Sequence, residues 1–360
     1  MPTNSGNISK YYCMKESFTP TNITRSLNNS TAQVDPAIIV WPYMAGVLCS
    51  VAAVLNFSAL FVIFKFPVLF KGAGFLIAHL LACNAMECLT GIPMLINRVA
   101  KAPYIQMDCG ICRYQHGFYI TFNNLANWSE ALLGLNRLAA IILPLQFHTV
   151  NRNLIQLPAL LACWVLTLVY TVPPTADILG IYRLSETGTC AIMSQTAVTR
   201  VLYSLNAYCP TVLIAAAAFV ITTKFARDVK MRRMVHVVSG EQEARRPPPL
   251  VSPVVVMSER QRRITKMLVM SFCLSLTCQT PVYILVSTGY NASNPIITVY
   301  LNLLTMVHYA ATPVVFFTMN KDYRDKVGVI WAGLGGTTVA VGPMEDVTAI
   351  GNRGRVRPIG

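Results

Sequence analysis

Three charged side chains stand inside long apolar stretches of this sequence. Arg137 lies in "LNRLAAIILPL", residues 135–145, and two acids, Glu87 and Glu130, lie in apolar segments before it. Burying a charge is costly unless the side chain is paired or hydrogen-bonded, so such residues are candidates for a charge switch, an ion pathway or a ligand contact. Two structural alternatives stay open: Arg137 as an anchor that reaches lipid phosphate, and the acids as hydrogen-bonded packing residues.

Covalent chemistry is not indicated. No catalytic constellation stands out, including the His-x-x-Glu-His type, and no cluster of His and Cys supports a zinc site. The sequence therefore predicts neither an enzyme nor a bound metal or cofactor.

The elements that carry these residues are seven long apolar stretches. Of the 360 residues, 54% are hydrophobic and only 12% are charged, against about 25% charged in soluble domains. Each stretch is long enough to cross a bilayer as a helix. The fold class predicted is an all-α membrane protein, a seven-transmembrane helix bundle with a short interfacial eighth helix. The stretches run approximately over 37–64, 73–96, 111–135, 154–175, 197–223, 264–288 and 295–319.

Three regions are expected along the chain. Residues 1–36 form an extracellular N-terminal segment, rich in Asn, Ser and Thr and predicted to be disordered. Residues 37–319 form the seven-transmembrane domain, with a third cytoplasmic loop at about 226–262 that contains "RRPPPLVSP". Residues 320–360 form a cytoplasmic interfacial helix and a flexible Gly-rich tail.

The distribution of positive charge predicts the orientation. Most of the 29 Lys and Arg residues fall on one side, above all between the fifth and sixth stretches, if the N-terminus is outside. The net charge of +14 is thus explained by topology and not by nucleic-acid binding. Glycosylation sequons outside the helices agree, because all fall on the outer side: Asn7, Asn22, Asn28, Asn29 and Asn291. We expect a multi-pass plasma-membrane protein with an extracellular N-terminus.

Four of the 11 cysteines lie on the predicted outer side, where disulfides form. They are Cys13, Cys109, Cys112 and Cys190, which allow three pairings. A Cys112–Cys190 bond would hold the loop after the fourth stretch over the mouth of the bundle, and leaves Cys13 and Cys109 as a second pair. The alternative is that Cys112 and Cys190 are both free thiols. The seven cysteines inside the stretches are predicted to be packing residues.

The order of motifs resembles the rhodopsin-like (class A) G-protein-coupled receptors. "NRLAAIILPL" is similar to the end of their third helix, with Pro144 seven residues after Arg137 and Cys112 twenty-five residues before it. "CQTP" at 278–281 stands for their Cys-Trp-x-Pro, and "TPVVF" at 312–316 for Asn-Pro-x-x-Tyr. Matches in the other helices have the same order, over most of the chain: Asn56, Pro93, Trp128, Trp164, Pro174 and Pro210.

The resemblance implies a G-protein contact and an activation route. Arg137 would meet a heterotrimeric G protein when the fifth and sixth helices move apart, with the sixth swinging about Pro281. The resemblance assigns contact and activation roles to Asn136, Arg137, Pro144, Gln279, Pro281, Thr312, Pro313 and Phe316.

Several of these residues depart from the family pattern. Asn136 replaces the acid before the arginine, and Gln261 stands where some members carry a partnering acid. Neutral amides cannot hold Arg137 as an ion pair does, so we expect a weaker resting lock and raised basal activity. Gln279 replaces the usual tryptophan, and the helix-two aspartate of the sodium cluster is missing. Glu130 is expected to replace part of this polar core, close to Asn84 or Thr312.

The resemblance also places a ligand pocket in the outer halves of the third, fifth, sixth and seventh helices. A polar, uncharged lining favours a peptide or a small neutral ligand. An amine ligand is not expected, because Tyr119 stands where amine receptors carry the aspartate that pairs with the amine. Retinal is not expected either, because Met306 stands where visual opsins carry the Schiff-base lysine. The predicted pocket residues are His116, Tyr119, Asn123, Asn206, Gln279, Tyr283, Asn302 and Met306.

The predicted function is that of an orphan receptor that signals from an extracellular ligand to a heterotrimeric G protein, within the lipid bilayer and without nucleic acid. One alternative is a non-signalling or decoy seven-helix protein that has lost its switches. Another is a transporter or channel, which the intramembrane acids permit although no continuous polar path is evident.

Overall fold

The computed structural model describes eight helices and one hairpin of strands. It describes residues 36–70, 73–102, 109–143, 153–176, 178, 180–184, 190–194, 197–239, 253–288 and 295–334. The helices are α1 (Pro36–Lys65), α2 (Ala73–Lys101), α3 (Cys109–Ile142), α4 (Asn153–Thr175), α5 (Ala197–Ser239), α6 (Pro253–Thr288), α7 (Pro295–Met319) and α8 (Lys321–Leu334). The strands are β1 (Gly180–Leu184) and β2 (Cys190–Ser194), and one helical turn, Pro67–Phe70, joins α1 to α2.

Helix α1 shows why these segments suit a bilayer. Large apolar side chains recur on one face every three or four residues and are exposed, among them Val47, Val51, Val54, Phe57 and Phe61. The opposite face is buried against α2 and α7. An apolar face without a protein partner is stable in lipid and costly in water, so this face is a lipid-contacting surface.

Within the described residues, five helices are long and apolar enough to cross a membrane: α1, α2, α4, α5 and α7. Helix α6 has a shorter apolar part, Val269–Leu285. Helix α3 has 34 residues and is too polar to qualify, and it packs against α2, α4 and α5. Neighbouring helices therefore shield the polar side chains of α3 from lipid.

The helices form one bundle with two apolar cores. Around the bundle α1 packs on α2 and α7, α6 packs on α5 and α7, and α3 lies between α2, α4 and α5. One core joins α1, α2, α3, α7 and α8 around Leu76, Leu80 and Leu125. The second joins α1, α2 and α7 around Trp41, Met306 and Tyr309. The end with the first core, where Lys65, Arg137 and α8 lie, is called the basic end here.

Helix α2 contains one turn of π-helix, Glu87–Gly91, followed by a regular helix from Ile92. Pro93 lies directly after the turn, where its missing N–H removes a regular helical hydrogen bond. The wider turn holds one more residue than an α-turn, and such turns are frequent at functional sites. Here it brings the buried Glu87 side chain against Gly91.

The segment between α4 and α5 is a hairpin and not a plain loop. Strands β1 and β2 pair antiparallel, with Leu184 opposite Cys190. The predicted disulfide is confirmed, because Cys112 at the start of α3 bonds Cys190 on β2. The end of the bundle that carries this bond is called the disulfide end. The seven cysteines inside the helices are free thiols: Cys49, Cys83, Cys88, Cys163, Cys209, Cys273 and Cys278.

The fifth and sixth helices are longer than the sequence indicated. Helix α5 continues to Ser239 and α6 begins at Pro253, so most of the loop predicted at 226–262 is helical. The prediction was wrong because charged residues ended the apolar pattern before the helix ended. The prolines at 247–249 lie between the two helices, which agrees with their inability to continue a helix. The predicted eighth helix is present as α8.

Candidate functional site

Glu130 is the centre of a buried polar cluster between α3, α6 and α7. One carboxylate oxygen, Oε1, lies 3.0 Å from Nε2 of His308 on α7. The other oxygen, Oε2, accepts a 3.0 Å hydrogen bond from the hydroxyl of Ser275 on α6. The partners of Glu130 are thus Ser275 and His308, and Thr312, one of the two residues expected close to it, lies one turn beyond His308 on α7.

The cluster continues along α6 towards the disulfide end. Gln279 Nε2 lies 3.1 Å from His308 Nδ1, and the Tyr283 hydroxyl donates to Gln279 Oε1 over 3.4 Å. Asn127 on α3 donates its amide N–H to the Tyr283 hydroxyl. Ser275, Gln279 and Tyr283 have four-residue spacing, so they lie on one face of α6. This set of six residues is called the three-helix network.

The hydrogen bonds of Gln279 fix the position of the hydrogen on the His308 ring. Gln279 donates to Nδ1 of His308, so that nitrogen carries no hydrogen and Nε2 carries it instead. Nε2 then lies 3.0 Å from Oε1 of Glu130 as an electrostatic contact, because the two atoms are too poorly aligned for a hydrogen bond. Glu130 is therefore held by a hydrogen bond from Ser275 on α6 and by an electrostatic contact with His308 on α7.

Asn123 links the network to α1. Its amide oxygen accepts a 2.8 Å bond from the Tyr309 hydroxyl, and its amide N–H lies 3.5 Å from the Tyr283 hydroxyl. The backbone carbonyl of Tyr309 in turn accepts a 3.0 Å bond from Asn56 on α1. Polar contacts therefore connect α1, α3, α6 and α7 through the middle of the bundle.

The network opposes separation of α6 from the bundle. Pro281 stands inside α6, so the helix lacks one of its regular hydrogen bonds at that point. Ser275 and Gln279 lie on the basic side of Pro281. An outward movement of that half of α6 would break their contacts and leave Glu130 and His308 with fewer partners in a buried place, which is energetically costly.

The residues of α7 with predicted activation roles lie beyond His308, towards the basic end. Thr312 and Phe316 are buried, Thr312 donates a 2.8 Å bond to the His308 carbonyl, and Phe316 belongs to the core at the basic end. Pro313 lies within α7. Neither Thr312 nor Phe316 offers the polar groups of the usual Asn and Tyr, and His308 one turn earlier brings a polar group into this part of α7.

Arg137 lies inside α3, five residues before its end, and its side chain is partly buried. Asn136 beside it is buried. In the last turn of α3, the Ile141 carbonyl accepts a 2.6 Å bond from the Lys224 ammonium of α5. A cation at a helix C-terminus is favourable because the last carbonyls lack partners within the helix.

The structure brings some of the predicted pocket residues together and separates others. Asn123, Gln279 and Tyr283 belong to, or bond, the three-helix network, and His116 stacks on Tyr119 with ring centroids 6.2 Å apart. The others are elsewhere. Asn206 accepts a 3.1 Å bond from the Trp128 indole, Met306 is buried in the apolar core of α1, α2 and α7, and Asn302 on α7 is partly buried.

Two charged residues near this pocket did not enter the predicted lining. Glu87 is fully buried on the π-turn and its carboxylate packs against Gly91, close to the Tyr119 ring. Arg98 is 2% exposed, and its guanidinium contacts the sulfur of Cys190. Arg98 lies beyond the second predicted stretch, 73–96, and so was not considered for the lining, whereas α2 continues to Lys101.

A second polar cluster ties α2, α3 and α4 together. The Trp164 indole donates a 3.0 Å bond to Nε2 of His79, whose Nδ1 lies 2.7 Å from the Ser129 hydroxyl. Since the indole only donates, Nε2 is the acceptor and Nδ1 carries the hydrogen. Ser129 then donates to the Leu125 carbonyl. The sequence signal for this cluster was Trp164 alone.

Some predicted residues lie outside the described residues. These are Pro144, Cys13, the side chains of Cys109 and Gln261, and the sequon residues Asn7, Asn22, Asn28, Asn29 and Asn291. Their predicted roles remain predictions.

Comparison with known families supports the resemblance in the sequence. The family model described as 7 transmembrane receptor (rhodopsin family) matches residues 55–316, which is most of the chain and includes parts of all seven long helices. No curated protein sequence matches the chain. The chain therefore belongs to the rhodopsin family of seven-transmembrane receptors.

Proposed function

We propose that this member of the rhodopsin family is a plasma-membrane signalling receptor that activates a heterotrimeric G protein at its basic end. Its N-terminus is extracellular, and its ligand, a peptide or a small neutral molecule, enters at the disulfide end. No covalent chemistry takes part. Binding favours an outward position of α6, which opens a cleft beside Arg137.

The observation that supports this proposal is the three-helix network. It joins the pocket side of α6, at Tyr283, to Glu130, which lies two turns from Arg137 on α3. A ligand that contacts Tyr283 or Asn123 competes with bonds that hold α6 against α3 and α7. Such a ligand binds more tightly when α6 has separated from α3 and α7 than when the network is intact. This difference in affinity shifts the receptor towards the separated arrangement.

The network also accounts for the altered motifs. The usual ionic partner of Arg137 is replaced by Asn136, and the usual helix-six tryptophan by Gln279. Gln279 bonds His308 and Tyr283, so it connects α6 and α7 by hydrogen bonds where an indole would do so by packing. The resting state is then held mainly inside the bundle and less at Arg137.

A non-signalling or decoy protein is the second candidate, since the same altered motifs are compatible with lost coupling. A transporter or channel is the third, because Glu87 and Glu130 lie inside the bundle. Both acids are buried, and Glu130 is bonded to neighbouring helices, which suits a structural lock better than a conduction path.

The deciding experiment is G-protein activation without added ligand. Cells would express the full chain with each G-protein class and a dissociation sensor, with surface expression measured by an N-terminal epitope on intact cells. We expect a signal above that of empty cells for at least one class, and loss of the signal in Arg137→Ala.

Arg200→Ala is the matched control, because Arg200 is an exposed arginine near the disulfide end of α5 and should leave the signal unchanged. A chain that reaches the surface and activates no G-protein class, alone or in a ligand screen that reads several second messengers, would favour the decoy. Substrate flux or ion current would favour the transporter or channel.

A further inference from the structure

An apolar groove opens on the lipid side of the basic end, away from the ligand pocket. It has a volume of about 600 Å³, which is in the usual range for small-molecule sites. Three helices form its walls, and eight residues line it: Phe57, Ser58, Phe61, Val62, Phe317, Arg324, Val327 and Ile330. Two of its lining residues, Phe57 and Phe61, belong to the surface of α1 that faces lipid, so a hydrocarbon chain can enter from the bilayer.

One end of the groove is positively charged. Arg324 lines it, is exposed, and is fixed by a 2.8 Å bond from its Nη1 to the Thr318 carbonyl at the end of α7. A guanidinium has five N–H donors in a rigid fork, so the groups not used at Thr318 remain for an anion. The positive charge is thus held in place beside an apolar cavity.

Two lysines extend this charge along the rim. The Lys65 ammonium lies 5.6 Å from the centroid of the Phe61 ring, and Phe61 is itself a lining residue. The Lys326 ammonium lies 5.2 Å from the centroid of the Phe66 ring at the end of α1. The acids of the same helix are Asp322 and Asp325, and Asp325 is exposed. Arg324 and the two lysines outnumber these acids, which favours an anionic headgroup at this rim.

We propose that this groove is a binding site for one anionic glycerophospholipid. An acyl chain of the lipid lies in the apolar part, and the phosphate of its headgroup contacts Arg324. A free phosphate or phosphorylated peptide would leave the apolar walls unfilled, and an uncharged sterol would leave the cations unpaired. The geometry of hydrocarbon beside fixed cations matches a lipid at the membrane surface, where each Lys or Arg contributes about 1 kcal/mol of attraction to anionic lipid. The site lies in the cytoplasmic leaflet if the proposed orientation holds.

The test measures lipid retention by the purified full chain. The receptor in detergent is mixed with phosphatidylserine or phosphatidylcholine of identical acyl chains, and bound lipid is counted by native mass spectrometry. We expect one phosphatidylserine to be retained in preference to phosphatidylcholine. Arg324→Gln should reduce that preference roughly fivefold, the equivalent of about 1 kcal/mol. Arg200→Gln, at the opposite end of the bundle, should not change it.

A second pair of variants tests the apolar part. Ser58→Trp on α1 and Val327→Trp on α8 fill the groove from different sides, and Ser58 is exposed, so the first variant has little effect on packing. Both should abolish retention of either lipid. Equal retention of the two lipids by the unmodified chain, retention unaffected by Arg324→Gln, or retention by both tryptophan variants would each overturn the proposal. These readouts do not involve a G protein, so they remain valid if the proposed signalling function fails.

Discussion

Glu130 on α3 and His308 on α7 approach to 3.0 Å in the middle of the bundle, and both are buried. They are 178 residues apart in the chain, and neither belongs to the short motifs that identify the family in this sequence. An acid and a base in contact at this depth stabilise each other only while the helices that carry them stay together. The pair therefore makes the relative position of α3 and α7 part of the resting state.

Coupling between these two residues can be measured by a double-mutant cycle. Glu130→Gln and His308→Gln should each lower the free energy of unfolding, because each leaves a buried polar partner with a poorer contact. The double variant should lose less than the sum, with a coupling of about 1–3 kcal/mol. Thermal unfolding in detergent is the measurement. As a control, His308→Gln should be additive with Asn206→Ala, since Asn206 bonds Trp128. Additivity of Glu130→Gln with His308→Gln would refute the contact.

The Tyr283 hydroxyl should restrain α6. Tyr283→Phe removes the group that accepts from Asn127 and donates to Gln279, while the ring is kept. Loss of these two hydrogen bonds, and of the longer contact from Asn123, costs about 1–3 kcal/mol in the resting arrangement, so basal G-protein activation should rise by roughly fivefold or more. Tyr203→Phe is the control, because the described contact of Tyr203 is with the Tyr170 ring and not a hydrogen bond. A fall in basal activation, or an equal rise in the control, would contradict this role.

An acid at the position before Arg137 should lower the basal activity of the receptor. Asn136→Asp places a carboxylate next to Arg137, and a charge-assisted bond between them is stronger than the bond of a neutral amide. We expect lower basal G-protein activation at equal surface expression. Asn136→Ala should not lower it, since it supplies no charge. If Asn136→Asp signals as strongly as the unmodified chain, the missing acid is not the cause of any basal activity.

Gly91 is required by the close approach of Glu87. A Cβ at position 91 would collide with the Glu87 carboxylate and lie 3.2 Å from the Tyr119 ring. Gly91→Ala should therefore lower the free energy of unfolding by about 1–3 kcal/mol, as overpacking does. Gly46→Ala is the matched control, because a Cβ there meets nothing within 4 Å and alanine favours a helix. Combining Gly91→Ala with Glu87→Ala should recover stability. Equal melting temperatures for the two glycine variants would contradict the contact.

The sequence predicted the fold well because the bilayer imposes a strong signal. Each span needs a continuous apolar stretch, and the family match came from motifs such as "CQTP" whose order survives even where single residues change. Helix ends were harder to place. Helix α5 runs to Ser239 through basic residues that lie beyond the apolar span, where a helix has no hydrophobic pattern to reveal it.

The site was predicted in part. Glu130 and Gln279 were singled out because one is an acid in an apolar stretch and the other replaces a known residue. Their partners Ser275 and His308 were missed, since a serine is unremarkable in a helix and the histidine's importance depends on a contact between distant segments. Arg98 was missed for a related reason, because α2 continues to Lys101, beyond its apolar stretch.

The π-turn of α2 has a consequence for how the helix tolerates changes in length. Each residue of an α-helix rotates the next side chain by about 100°, so the extra residue at Glu87–Gly91 turns everything beyond it by that angle. The Arg98 guanidinium contacts the sulfur of Cys190 only because the part of α2 beyond the turn has this rotation about the helix axis. Deleting a single residue within Glu87–Gly91 would restore an ordinary helix and keep this rotation, because the five residues of the wide turn rotate the chain about as far as four residues of an α-helix. The Arg98 guanidinium would then stay beside the disulfide, whereas a change that straightened the turn without a deletion would rotate it away.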